Sequence, residues 1–156
     1  MTTDIVYLII QTMTDYLWLV FALLSALTAS LVAIFGKIGL QGIDSNTATA
    51  IRGVIMALFL IGVVIAQGKL ANVSTILGNS KAILFIVLSG VAGAVSWIFY
   101  FLALKAGKVY QVAPIDRLSM VFAMILAVLF LGEKVSLRAA IGAAIMVAGA
   151  ILITLG

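Results

Sequence analysis

Five long apolar runs separated by short polar segments dominate the chain. They cover residues 16–40, 47–67, 81–104, 109–131 and 137–155. Each run is close to the length of about 20 residues that a helix needs to cross a bilayer. The segments between them include two polar turns, at residues 41–46 and 105–108, and a longer polar loop at residues 68–80. The pattern predicts an all-α integral membrane protein with five transmembrane helices.

The first 15 residues stand apart from this pattern. They hold one short apolar run, at residues 5–10, which is too short to cross a bilayer. We expect residues 1–15 to lie in the membrane interface, to extend the first helix or to be disordered. Residues 16–156 then form the transmembrane domain. No positive segment followed by a small-residue cleavage site is visible, so no removable signal peptide is expected.

The composition supports lipid as the surrounding solvent. Hydrophobic residues make up 65% of the 156 residues and charged residues 9%, with a mean hydropathy of +1.37. A soluble domain carries about 25% charged residues. The chain has no histidine and no cysteine, which excludes metal sites built on those residues, catalytic triads that need histidine, and disulfides.

Other functional classes are also disfavoured. The nine Lys and Arg residues are scattered along the chain, so no nucleic-acid partner is expected. The sequence contains no glycine-rich phosphate loop and no nucleophile elbow. We therefore expect neither a cofactor nor an enzymatic activity.

The fourth apolar run contains an acid, Asp116, next to a base, Arg117. A charge within a membrane segment is costly, and it usually faces a bundle interior, a partner or a water-filled pathway. Pro114 either starts a helix or breaks one, since it lacks an N–H and disfavours α geometry at the residue before it. If the helix starts at Pro114, Asp116 lies in its first turn, where the dipole favours a negative charge. A broken helix beside a buried charge is typical of transporter binding sites.

Further candidates lie toward the same side of the membrane, by the alternation of the five spans. The alternative to a binding role for Arg52 is a guanidinium that reaches the lipid headgroups. The alternative for the aromatic candidates, Trp97 and Tyr100, is ordinary packing. For Asp116 the alternative is an ion pair that only fixes the fold. The predicted substrate- or ion-binding set comprises Asp116, Arg117, Arg52, Lys37, Trp97, Tyr100 and Ser119.

Small residues indicate one close-packed helix face in the last span. Gly142 and Gly149 are seven residues apart, with Ala139 and Ala143 beside them. Such a face allows close helix–helix approach, either within one subunit or between subunits.

For the helix starts, we expect Ser45 or Asn46 to cap the second helix and Ser136 to cap the fifth.

The chain resembles the EamA family of the drug/metabolite transporter superfamily over about residues 16–156. The resemblance rests on short motifs that close or open the predicted helices. These are Phe35–Leu40, Ala50–Arg52, Phe101–Gly107 leading to Val112–Pro114, and Phe130–Lys134 followed by Gly142 and Gly149.

This resemblance implies a transporter, since the family exports amino acids or related small metabolites. Its usual members carry two such units in inverted orientation, giving ten helices, whereas this chain resembles a single unit. A lone unit needs a second copy to enclose a pathway. The design is also similar to that of the small multidrug exporters. Their essential glutamate in the first helix has no counterpart here, because the first span contains no acid.

The charge balance of the loops suggests how two copies are arranged. Orientation in the membrane follows the Lys and Arg bias of the loops, and here one side holds five such residues and the other four: Lys37, Arg52, Lys105, Lys108 and Arg117 against Lys69, Lys81, Lys134 and Arg138. A chain with so little bias can insert both ways. We therefore expect an antiparallel homodimer of ten helices, with a parallel dimer or a paralogue partner as the alternatives.

The sequence thus predicts a secondary transporter, an exporter of amino acids or of cationic or zwitterionic compounds, in a prokaryotic inner membrane. It is expected to work by alternating access in a homodimer. The alternative is a non-transporting membrane subunit or an assembly partner of a paralogue. Asp116 distinguishes the two hypotheses, because a subunit that serves only for packing has no need of an acid within a membrane span.

Overall fold

The computed structural model describes residues 16–156, and the prediction for residues 1–15 lies outside the described residues. The first helix, α1, is assigned over Thr2–Gly39, and its apolar portion Tyr16–Gly39 is long enough to cross a membrane. The other long helices are α2 (Ser45–Ala66), α4 (Ser80–Ala106) and α7 (Leu137–Leu155). With the broken span Val109–Leu131, they give the five membrane-length apolar segments that the hydropathy pattern predicts.

The start of α2 corrects one detail of the sequence analysis. The cap is Asp44 and not Ser45 or Asn46, because Asp44 Oδ1 accepts hydrogen bonds from the backbone N–H and the hydroxyl of Thr47, both at 2.8 Å. These two hydrogen bonds hold the pKa of the Asp44 carboxyl below its ordinary value of 3.8. The prediction for the last helix is confirmed, since Ser136 Oγ accepts from the N–H of Ala139 at 3.2 Å.

The loop predicted over residues 68–80 contains a short helix, α3 (Ala71–Leu77). The prediction of a loop was therefore wrong for these seven residues and also for Ser80, which begins α4. The helix packs against α4. Contact with a neighbouring helix decides the structure of so short a segment, since a helix this short is marginal on its own.

The fourth span consists of three pieces. Helix α5 (Val109–Asp116) is followed, after Arg117 and Leu118, by helix α6 (Ser119–Leu126) and a π-helical segment (Ala127–Leu131). Because α5 begins at Val109, Pro114 lies inside it and Asp116 is its last residue. Asp116 is therefore not in the first turn of a helix.

Hydrogen bonding changes at the junction of α5 and α6. The N–H of Leu118 donates to the carbonyl of Ile115 at 3.0 Å, and the N–H of Met120 donates to that of Arg117 at 3.1 Å. Each of these hydrogen bonds joins residues three apart, as in a 3₁₀ turn, whereas the hydrogen bonds of an α-helix join residues four apart. Pro114 adds to the interruption, since it offers no N–H to the preceding turn. The break thus follows directly after Asp116.

Helix α4 lies at the centre of the bundle, where it contacts α1, α2, α3 and α5. The buried core is formed by Leu40, Phe101 and Leu104, with Trp97 and Tyr100 packed against it. Phe101 reaches α1 at Gly36, where a Cβ atom would clash with the phenyl ring. The core therefore sits toward the end of the bundle where α2 starts and α4 ends.

Lys37 ties this end of the bundle together. Its Nζ donates to the carbonyl of Leu104 at 2.5 Å and to that of Gly107 at 2.7 Å. The last carbonyls of a helix have no partner within it, so the ammonium satisfies two acceptors at the end of α4. Lys105 makes a similar contact, from its Nζ to the carbonyl of Ile43 at 3.0 Å.

Much of the apolar surface of the single chain is exposed. Among residues 16–156 the buried apolar side chains number five, whereas Phe130 and Leu155 are 81% and 80% exposed. Helix α7 packs mainly on α5, and the second half of the fourth span contacts mainly itself. These helices therefore present large faces to lipid or to a partner.

Candidate functional site

A cavity lies beside the break in the fourth span. We call it the helix-break cavity; its volume is about 240 Å³, and it is lined by Ala29, Val32, Ser96, Trp97, Tyr100, Phe101, Asp116, Arg117 and Ser119. Helix α1 forms one wall, α4 a second, and the α5–α6 junction the third. The break in the helix thus places an acid, a base and a hydroxyl around one cavity.

The helix-break cavity lies well inside the spans. Asp116 is seven residues from the start of α5 at Val109, which corresponds to a depth of about 10 Å. Tyr100 is six residues from the end of α4 at Ala106, or about 9 Å. Both side chains are half-buried in the single chain. Asp116 and Tyr100 therefore lie at similar distances from the ends of their helices.

Tyr100 is the polar centre of this cluster. Its phenol lies within electrostatic range of three charges, those of Asp116, Arg117 and Arg52. Its ring packs edge-to-face on Phe101, with centroids 5.1 Å apart. A phenol hydroxyl both donates and accepts hydrogen bonds, so Tyr100 can interact with either sign of charge in the cavity.

Asp116 also borders a second cavity, on the other side of Tyr100. This α5–α7 cavity has a volume of about 470 Å³ and is lined by Ser96, Phe99, Tyr100, Ala103, Gln111, Val112, Ile115, Asp116 and Thr154. Gln111 connects its two helices, with Nε2 donating to the carbonyl of Thr154 at 3.4 Å. Asp116 therefore lines two cavities, the helix-break cavity and the α5–α7 cavity.

Arg52 packs on the aromatic side chains of α4. Its Cζ lies 3.3 Å from the ring centroid of Phe101 and 4.8 Å from that of Trp97. The ring faces of Phe101 and Trp97 thus meet a cation of the same chain. The Nε of Arg52 is buried and has no hydrogen-bond partner in the described part of the chain. The guanidinium therefore packs against the aromatic side chains of α4.

A third cavity lies beside Arg52. This α1–α2 cavity has a volume of about 280 Å³ and is lined by Val32, Phe35, Gly36, Gly39, Leu40, Ala48, Thr49, Arg52 and Phe101. It shares Val32 and Phe101 with the helix-break cavity. Phe101, whose ring carries the guanidinium of Arg52, is therefore a wall of both cavities.

The structure brings together five of the seven predicted site residues in the helix-break cavity: Trp97, Tyr100, Asp116, Arg117 and Ser119. Arg52 lines the α1–α2 cavity instead. Lys37 lies elsewhere, bonded to the end of α4. The sequence analysis missed Ser96, which lines both cavities that contain Asp116. Its position four residues before Tyr100, on the same helix face, is a signal that could have found it.

The predicted packing face of α7 is open in the single chain. A Cβ atom added at Gly142 or Gly149 would meet no atom within 4 Å. Ala143 lines an apolar groove between α6 and α7, together with Val121 and Met124, while Ala139 is exposed. Within residues 16–156 the two glycines therefore make no close helix contact.

Five membrane-length helices, one of them broken at a half-buried acid, define a polytopic membrane protein of the transporter class. The chain belongs to the EamA-like transporter family, whose model matches residues 16–155. It is 45% identical over 136 residues to a Sinorhizobium sp. protein described as an uncharacterized transporter in the cobO 3′ region. That match covers 87% of this chain and 95% of the relative, so the relative also has the length of a single unit. No solved structure matches the chain.

Proposed function

We propose that the protein is a secondary transporter that exports small metabolites, such as amino acids or other cationic or zwitterionic compounds. The observation that carries the proposal is the position of Asp116. It is a half-buried acid at a helix break, and it borders two cavities inside the spans. An acid placed in this way is costly in a membrane and is usually functional.

Asp116 supplies the chemistry of exchange. As a carboxylate it binds the cationic group of a substrate, and as a carboxylic acid it holds a proton and binds that group weakly. Binding of a proton to Asp116 therefore opposes binding of the cationic group of the substrate. The ring of Trp97 lines the same cavity, and the hydroxyls of Tyr100 and Ser119 supply hydrogen-bonding partners.

The transporting unit is an antiparallel homodimer in the inner membrane of a prokaryote. This part of the proposal is supported by the exposed faces of α6 and α7 and by the open glycine face of α7. It is also supported by the nearly balanced loop charges and by the single-unit length of the relative. Two opposed copies recreate the inverted repeat of such carriers, with one site in each half.

Asp116→Asn tests the proposal in purified protein reconstituted in liposomes. The substitution keeps the shape of the side chain and removes its charge. We expect transport of a cationic or zwitterionic substrate to fall by about tenfold or more, which corresponds to losing one hydrogen bond to a charged group. Residual transport should lose its dependence on pH.

The matched control is Glu133→Gln, which removes an exposed acid outside the cavities. Transport by this variant should equal that of the unsubstituted chain. Size-exclusion chromatography in detergent establishes that both variants fold and assemble. Unchanged transport by a folded Asp116→Asn protein, with its pH profile intact, would show that Asp116 has a structural role only.

A further inference from the structure

Arg52 has no acidic partner among residues 16–156. The residues from 16 onward contain three acids, Asp44, Asp116 and Glu133. Asp44 uses its carboxylate to cap α2. Asp116 lines the helix-break cavity, whereas Arg52 lines the α1–α2 cavity. Glu133 is exposed beyond the π-helical segment. None of the three therefore provides Arg52 with a close partner.

The surroundings of Arg52 satisfy it only in part. Phe101 and Trp97 present their ring faces to the guanidinium, which favours a cation. Ring faces do not accept all five N–H groups, and the buried Nε is left without a partner. A buried charge is normally paired or hydrogen-bonded, since an unpaired one is costly. The arrangement thus lacks one component, an oxygen-bearing anion.

The α1–α2 cavity provides space for such an anion. Its walls are mainly apolar, with Val32, Phe35 and Leu40 prominent, and its polar members are Arg52 and Thr49. The Thr49 hydroxyl donates to the carbonyl of Ser45 at 2.7 Å, so Arg52 is the remaining donor. At about 280 Å³ the cavity is at the small end of ligand sites, which run from about 300 to 1,000 Å³. It therefore suits a small molecule with one oxyanion and a compact apolar body.

We infer that Arg52 is an oxyanion-binding residue that pairs with a carboxylate of the transported molecule in the α1–α2 cavity. Arginine suits this role, because its planar guanidinium binds a carboxylate through two parallel hydrogen bonds. In the structure the guanidinium lies on the ring of Phe101. When ligand binds, it turns toward the cavity and the stack is weakened or lost.

This inference deepens the proposed function and, as far as transport is concerned, rests on it. Asp116 selects for a cationic group, and Arg52 adds the requirement for an acidic one. The two cavities share Val32 and Phe101 as walls, so the two charges border neighbouring spaces. Simple amines should then be poorer ligands than the corresponding amino acids.

Trp97 provides a direct test of binding, because Arg52 lies against its ring. The chain has two tryptophans, and in the Trp18→Phe variant Trp97 is the sole one. The fluorescence of this variant is measured in detergent during titration with leucine, leucinamide and 3-methylbutylamine. We expect leucine to change the emission saturably. The amide and the amine, which lack a carboxylate, should bind about tenfold more weakly or worse.

Substitutions at Arg52 complete the test. In the same background Arg52→Gln should abolish the response to leucine, and Arg52→Lys should weaken it, since an ammonium does not form the paired bonds. Arg138→Gln, which removes an exposed arginine, is the matched control and should respond normally. The ligand comparison uses unaltered Arg52, so it remains decisive even if the Arg52 variants fail to fold.

Two results would overturn the inference. The first is an equal response, or an equal lack of response, to leucine and leucinamide. The second is a response to phosphatidylglycerol but not to leucine, which would make a lipid phosphate the anion. Binding in detergent does not require transport. If leucine is not preferred but Asp116-dependent transport of amines is observed, the inference about Arg52 fails and the proposed function stands. If carboxylate binding is observed without transport, the inference about Arg52 stands and the proposed function fails.

Discussion

At the scale of single residues, polar side chains fix the ends of the helices and the character of the cavities. Asp44 begins α2, Lys37 satisfies the end of α4, and Asp116 marks the break in the fourth span. Asp116 and Arg117 could be singled out from sequence, because charges inside an apolar run are conspicuous. The stack of Arg52 on Phe101 could not, since it depends on how α2 packs against α4.

The cap at Asp44 gives a prediction about stability and pH. Its pKa is lowered in the folded state by the hydrogen bonds from Thr47, so folding favours the carboxylate form. The stabilisation is therefore present above the ordinary pKa of 3.8 and is lost as the pH falls through the lowered value. Asp44→Ala should lower the thermal unfolding temperature in detergent at neutral pH, and the difference should shrink in strong acid.

Asp44→Asn is the matched control for this prediction. Asparagine is also a good N-cap but does not titrate, so this variant should unfold close to the unsubstituted protein at neutral pH. Its unfolding temperature should not share the acid-induced loss that comes from the carboxylate. If Asp44→Ala unfolds at the same temperature as Asp44→Asn at neutral pH, the cap contributes nothing measurable.

At the scale of elements, the contact of α1 with α4 positions the site. Phe101 is 1% exposed, with Gly36 of α1 on one side and the Arg52 guanidinium over its ring. Because the helix-break and α1–α2 cavities both use Phe101 as a wall, its position decides the shape of each. A change in helix spacing at Gly36 should therefore affect both cavities.

Gly36→Ala tests this contact. The added Cβ would clash with the Phe101 ring, and overpacking of a core typically costs about 1–3 kcal/mol. We expect a lower unfolding temperature in detergent and a changed emission from Trp97, which packs edge-to-face on Phe101.

Gly39→Ala is the control on the same helix, because a Cβ there would meet no atom within 4 Å. It should be neutral or stabilising by at most about 1 kcal/mol, since alanine is the better helix former. Equal unfolding temperatures for the two variants would mean that α1 and α4 are not in close contact at Gly36.

Hydropathy predicts the elements that cross the membrane better than it predicts their irregularities. The limits of α7 agree with the prediction at residues 137–155, because a capping Ser136 and a continuous apolar run define them. Pro114 indicated a break, but its position after Asp116 depends on local hydrogen bonding that no periodicity reveals. The seven residues of α3 were read as a loop because their helix depends on contact with α4.

At the scale of the whole molecule, a single chain holds cavities that it does not fully enclose. The second half of the fourth span and one face of α7 have few neighbours among residues 16–156. In the proposed antiparallel pair, these faces meet a second copy, and each copy contributes one Asp116. This arrangement could not be derived from the sequence of one unit alone, since it depends on surfaces that belong to two chains.

The most direct test of this account is transport by mixed pairs. Unsubstituted and Asp116→Asn chains are co-expressed in equal amounts, purified together and assayed in liposomes. If both copies of Asp116 are required in one pair, activity should fall to about one quarter, the share of randomly formed pairs with two intact chains. An activity of about one half or more, falling linearly with the fraction of intact chains, would contradict the account, because each chain would then work without its partner.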